Sequence, residues 1–232
     1  MGKPLANLKK VILVKIIKYF ALTLTLSTSS LSQAAYITFD EIGMDRIFSQ
    51  DSFGENPIDI RVGKTEELVF PDLLNINTSA KLYDLFGQHR HSYNTANAFF
   101  VDSLSWCGGG SGYYAGCGLW PGNSFVVDSY WSSTSYGAEL LAHELGHNLG
   151  LGHVYNSSYL MNTYLSGGTF LASYDVDRIF SSNLVQQDSF GWFIDITPVL
   201  VVAEATKVPE PAIPGLMLSG LFAIYLRRSL KN

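Results

Sequence analysis

The chemistry of this chain is concentrated in one segment, His143-Glu144-Leu145-Gly146-His147-Asn148-Leu149-Gly150-Leu151-Gly152-His153. His143 and His147 are four residues apart. On a helix, their imidazoles therefore leave one face, one turn apart. That separation allows two nitrogens to bind a single zinc ion at about 2.0–2.1 Å. Glu144 lies about 100° further round the helix, placed to approach a water without ligating the metal itself. Gly150 can adopt positive φ and end the helix in a left-handed cap, so the chain turns back and brings His153 up as a third ligand. Three histidines with the fourth position open to water are the pattern of catalytic zinc; a structural site is closed by a fourth protein ligand. The alternative is a helix that merely buries two histidines. With five histidines in the chain, chance placement of the five motif residues has odds on the order of 10⁻⁵ per sequence.

The surrounding elements must hold that helix. Tyr136 to Ala142 reads as its first half, with Ser132, Ser133, Thr134 and Ser135 offering N-caps and Leu140, Leu141, Leu145 and Leu149 as its buried stripe. Asp40 to Gln50 reads as a short amphipathic helix with Ile42, Ile47 and Phe48 inward. Ile58 to Val62 alternates as a strand, and Ala98 to Val101 is an apolar run suited to a buried one. Phe125 to Asp128 suits either the edge strand of the sheet or a plain core strand. Asp175 to Val185 reads as a closing helix and Phe193 to Val202 as a last strand. Cys107 and Cys117 bracket a glycine-rich loop and read as a disulfide, stabilising by about 3 kcal/mol in the chain-entropy model. A zinc thiolate site is the rival, weakened because the chain has no further cysteines.

The motif resembles that of the metzincin zinc endopeptidases, His-Glu-x-x-His-x-x-Gly-x-x-His followed by a methionine turn. By this resemblance His143, His147 and His153 are zinc ligands and Glu144 is the catalytic general base and acid. Met161, in Tyr159-Leu160-Met161-Asn162, is the methionine of the turn or else ordinary core. Some metzincins carry a tyrosine ligand two residues after this methionine. Here that position is Thr163, with Tyr164 next to it, so the resemblance leaves tyrosine ligation open. It implies a mixed α/β (α+β) fold. The expected parts are a twisted mixed sheet, an edge strand over the cleft that pairs with extended substrate, the active-site helix and a smaller irregular C-terminal subdomain. The expected cofactor is one zinc ion, the expected substrate a protein or peptide, and the expected state a monomer. Two other functions remain: a non-catalytic extracellular matrix protein with structural zinc, and a peptidoglycan or other amide hydrolase.

Both ends read as addresses. Residues 1–34 have a lysine-rich start, an apolar run from Tyr19 to Leu26 and small residues up to Ser32-Gln33-Ala34, the layout of a secretory signal cleaved after Ala34. A transmembrane anchor is disfavoured because Lys15 and Lys18 interrupt the apolar stretch, and the run beyond Lys18 is too short to span a bilayer. Residues 208–232 contain Val208-Pro209-Glu210-Pro211, an apolar stretch from Ile213 to Leu226, and Arg227-Arg228. This closely resembles the PEP-CTERM sorting tail. The resemblance implies transient membrane association, processing by an exosortase-type enzyme, and an extracellular or cell-surface destination. The protease domain is then 35–207.

Charge excludes one class of partner. The whole chain carries −5, but between Ala35 and Val208 there are seven basic and nineteen acidic residues, a net of −12. Such a body repels phosphate backbones, so no nucleic-acid partner is expected. At 47% apolar and 15% charged, the chain is not disordered. Two features carry no assigned role. His89 and His91 are read as a solvated loop in preference to a second metal site. The segments 45–60 and 177–196 echo each other (Asp45-Arg46-Ile47-Phe48-Ser49 and Asp177-Arg178-Ile179-Phe180-Ser181), and a helix, a turn and a strand would fit both copies.

Overall fold

The computed structural model describes residues 37, 39–88 and 92–204. Residues 1–34, read above as a signal, His89, His91 and residues 208–232, read as a sorting tail, lie outside the described residues. Helix α1 (Glu41–Ile47) opens the fold, its N-cap Asp40 accepting the Gly43 N–H. Strands β1 (Ile58–Val62), β2 (Glu66–Val69) and β3 (Asn75–Ile76) come next, then α2 (Ser79–Gln88) and β4 (Thr95–Val101). Short strands β5 (Ser103–Leu104), β6 (Trp106–Cys107), β7 (Gly110–Ser111) and β8 (Gly116–Gly118) lead to β9 (Ser124–Asp128). Helices α3 (Ser129–Ser132), α4 (Gly137–Asn148) and α5 (Ser173–Phe180) precede β10 (Gln186–Asp188) and β11 (Gly191–Val202).

The main sheet runs β1-β11-β4-β9-β8, with β2 and β10 also paired to β11. The β1, β2, β4 and β9 pairings are parallel. Strand β8 runs antiparallel to β9, and β10 antiparallel to β11. This is the mixed α/β sheet expected of a metzincin-like fold. Period-two alternation divides the apolar side chains between its faces. Phe100, Phe125, Val127, Ile194 and Ile196 pack with α1, α4 and α5, whereas Phe99, Val101, Val126, Val199 and Val201 pack with Leu82 and Leu85 of α2. Fully burying a side chain such as Phe100 or Phe125, both 0% exposed, stabilises by about 1.5–3 kcal/mol.

Pro198 lies inside β11, a position that ordinarily argues against a strand. On one side β11 pairs with β1 through Ile196 and with β2 from Val199, so Pro198 falls between two partners on that edge. The missing N–H there costs no ladder bond.

The structure decides between the two readings of Phe125–Asp128 and corrects three expectations. Phe125–Asp128 is an interior strand; the edge beside it is β8, which the glycine-rich sequence concealed. Ile42 is 66% exposed, because Met44, Ile47 and Phe48 form the buried face at helical spacing and Ile42 lies opposite. The closing helix is Ser173–Phe180 and stops short of Val185. The serines before α4 do not cap it; Asp128 instead caps α3 by accepting the Tyr130 N–H at 2.9 Å.

The internal echo has a structural counterpart. In both copies a helix leads to a strand, and the strands β1 and β11 are parallel neighbours, with Ile60 opposite Ile194. The segments between differ, since Asp51–Phe53 is a 3-10 turn and Gln187 and Asp188 lie in strand β10. Phe53 and Phe180 stack edge to face between them.

Candidate metal centre and active site

Helix α4 carries His143, Glu144 and His147 over the sheet, with Leu140, Leu141, Leu145 and Leu149 buried beneath. Its end is a Schellman cap. Gly150, at φ +89°, donates its N–H to the His147 carbonyl, and Leu151 donates to Gly146, each at 2.9 Å. This reversal brings His153 back beside the helix. His143, His147 and His153 each offer a nitrogen, and all three nitrogens lie within 4.8 Å of one another.

The hydrogen bonds fix which nitrogens face inward. Nδ1 of His143 is 2.8 Å from the Leu160 carbonyl oxygen, and Nδ1 of His147 is 2.9 Å from that of Leu151. A carbonyl oxygen can only accept, so both Nδ1 atoms donate. Burial favours the neutral rings, holding His143 down at about 4 and His147 below its ordinary value. In a neutral ring with Nδ1–H, Nε2 presents a bare lone pair. Nε2 of His153 lies 3.2 Å from that of His143 and 3.1 Å from that of His147. One N–H at His153 could satisfy only one of these lone pairs. A cation can take both of these lone pairs and one from His153 as well, and nitrogens ligating one tetrahedral zinc would be about 3.3 Å apart. The donor set, its tautomers and its spacing therefore fit zinc.

Glu144 is 5% exposed, and its Oε2 has no hydrogen-bond partner among the described residues. Burial pushes its carboxyl up to about 8, opposed in part by the Gly118 N–H. A carboxyl tuned towards neutral pH beside three convergent imidazoles is suited to accept and return a proton.

The edge strand fits closely against this helix. A Cβ on Gly116 would run into the Glu144 carboxyl group, and one on Gly118 would lie 2.7 Å from the Glu144 carbonyl oxygen. Only glycine lets β8 approach so near. Between them Cys117 points to the other side of the sheet and is joined to Cys107, with Cα atoms 5.8 Å apart. The expected disulfide is thus present, and it ties the edge strand to β6.

Met161 is buried at 2% exposure beneath α4, where a Cβ on Gly146 would meet its sulfur. It directly follows Leu160, whose carbonyl orients His143. Tyr164 is 77% exposed on the loop beyond. One turn before His143, the buried carboxylate of Glu139 accepts the N–H groups of Ser166 and Gly167, both at 2.9 Å, and so fastens that loop to the helix. Asn148 donates to the carbonyls of Leu119 and Ser124, both at 2.9 Å, and anchors the helix end to the sheet.

Sequence reasoning missed Gly116, Gly118, Glu139, Asn148 and Arg178, whose Nε donates to the Gly150 carbonyl at 2.8 Å, as supports of the site. Glycines two residues apart in a strand-length segment were the one readable signal, since they mark close backbone approach. The partners of Glu139, Asn148 and Arg178 are backbone groups brought near only by the fold.

This sheet and this histidine cluster define a metalloendopeptidase of metzincin-like fold. Residues 49–154 match the family model of the reprolysin-like metallopeptidases of family M12B, a segment that runs from the first turn to just past His153. No curated protein matches the chain.

Proposed function

We propose that the chain is an exported zinc endopeptidase in which His143, His147 and His153 hold the ion and Glu144 is the general base and acid. When bound, zinc lowers the pKa of water to about 7 and polarises the scissile carbonyl. The single observation that carries this reading is the convergence of three Nε2 atoms, with the next residue on the same helix, Glu144, holding a buried carboxyl oxygen that has no hydrogen-bond partner among the described residues. A cation at the histidines favours the ionised form of Glu144, which burial otherwise opposes. Glu144 then takes a proton from the attacking water and passes it to the leaving amine nitrogen. The peptide C–N bond breaks, a C–O bond forms, and no covalent enzyme intermediate is needed. The Leu160 carbonyl holds the His143 ring, and Met161 packs against helix α4 at Gly146.

Export rests on the sequence of residues 1–34, and final placement at the cell surface or outside it on the tail 208–232, processed by an exosortase-type enzyme. The body 35–207 acts as the protease domain.

Casein or gelatin hydrolysis tests the activity. The purified protein is expected to cleave these substrates, to stop when a zinc chelator is added and to recover with zinc. Glu144→Gln should retain zinc and lose about 10²-fold or more of the rate. Stoichiometric zinc with no cleavage of protein substrates would instead support a matrix protein with structural metal.

A further inference from the structure

We propose that Arg178 is a positioning residue for the third histidine: its guanidinium holds the Gly150 carbonyl and so fixes the turn that presents His153. This rests on the reading of the histidines as a metal site. The three rings are not held alike. His143 and His147 each have Nδ1 clamped to a carbonyl, whereas no hydrogen bond among the described residues holds the Nδ1 of His153. Its orientation therefore depends on the backbone between Leu149 and Val154.

Within that stretch, the N–H groups of Gly150 and Leu151 return to α4, and the Leu151 carbonyl takes the His147 ring. The Gly150 carbonyl faces away from the helix. Nε of Arg178, on α5, donates to it at 2.8 Å. A cationic donor makes a stronger bond to a carbonyl than a neutral one. Gly150 also sits at φ +89°, where a Cβ would lie 3.2 Å from the same Nε, so the arginine fits closely against the backbone at the reversal. Helix α5 is itself held by Val176 and Ile179 in the core and by Asp175, which accepts the Ala172 N–H at 2.9 Å. The guanidinium thus tethers the turn of the third ligand to a helix far along the chain. Groups bonded directly to a metal ligand typically change affinity by about 10–100-fold when removed. Arg178 acts through the backbone three residues from His153, so the low end of that range, about 10-fold, is the expectation.

Zinc affinity by chelator competition, and the visible absorption of the cobalt-substituted protein, test the assignment. R178M keeps the length of the stem as far as Nε and removes the donor, and R178A removes both stem and donor; if one fails to fold, the other decides. Each is expected to bind zinc about 10-fold more weakly and to alter the cobalt spectrum. R178K, with one donor restored, should recover part of both. In an H153A background the same substitutions should cause no further loss, because their effect passes through that ring. Wild-type affinity and spectrum in the folded variant would overturn the proposal, as would an equal loss with and without His153. Failure of the wild-type protein to bind zinc is a separate result and would overturn the metal site itself.

Discussion

Nδ1 of His143 lies 2.8 Å from the carbonyl oxygen of Leu160, the residue directly before Met161. One backbone position therefore sets the tautomer of the first histidine while its neighbour fills the floor under the helix. The Leu160–Met161 turn and helix α4 are one packed unit.

Met161→Ala is expected to destabilise the zinc-free protein by about 2–5 kcal/mol, because the cavity lies under a helix fixed at both ends. Met161→Leu, which conserves volume, should cost less than about 1.5 kcal/mol. Urea denaturation of the two variants checks both values. Equal, small losses would mean that the floor is not rigidly packed.

Gly116 faces the Glu144 carboxyl with no room for a methyl group. Gly116→Ala should therefore displace the base or push the edge strand away, costing about 1–3 kcal/mol and most of the hydrolytic rate. Gly152 offers a contrast inside the motif itself. A Cβ there meets nothing within 4 Å and its φ is not positive, so Gly152→Ala should leave rate and stability nearly unchanged. Thermal melts and initial rates on a peptide substrate separate the two outcomes.

The buried carboxyl of Glu144, raised to about 8, makes stability depend on pH. Its unfolded value is near 4.5. Between these values the unfolded chain ionises Glu144 and the folded chain does not, so the metal-free protein loses stability as pH rises through that window. Glu144→Gln cannot ionise and should escape this loss. The stability difference between variant and wild type should thus grow in favour of Gln from about pH 5 to about pH 8, with other titrations cancelling. A flat difference across that range would show that Glu144 is ionised in the metal-free fold.

The sequence made the centre of this protein readable and its supports obscure, for physical reasons. Histidines at helical spacing, a base beside the first and a glycine at the reversal are local patterns, and they lead directly to α4 with its αL cap. Strand β1 was legible from its alternation, and β4 and β11 because buried parallel strands are apolar runs. Strand β8 was not, since Gly116-Cys117-Gly118 lacks the β-branched residues that mark a strand; it is held by pairing with β9 and by the disulfide. The phase of α1 was misread at Ile42 because a short helix with apolar residues on two faces has no single period to follow. Asp40, Met44 and Phe48 settle it through a cap and a core contact. Glu139 and Arg178 bind backbone groups 27 and 28 residues away, which no spacing rule reveals.

X-ray absorption at the zinc edge of the stoichiometrically loaded protein tests the metal centre most directly. The expected spectrum has three imidazole nitrogens and one solvent oxygen at about 2.0–2.1 Å, with one imidazole lost in His153→Ala. A fourth ligand from the protein, a sulfur in the shell, or a shell unchanged by removing His153 would contradict a catalytic three-histidine site.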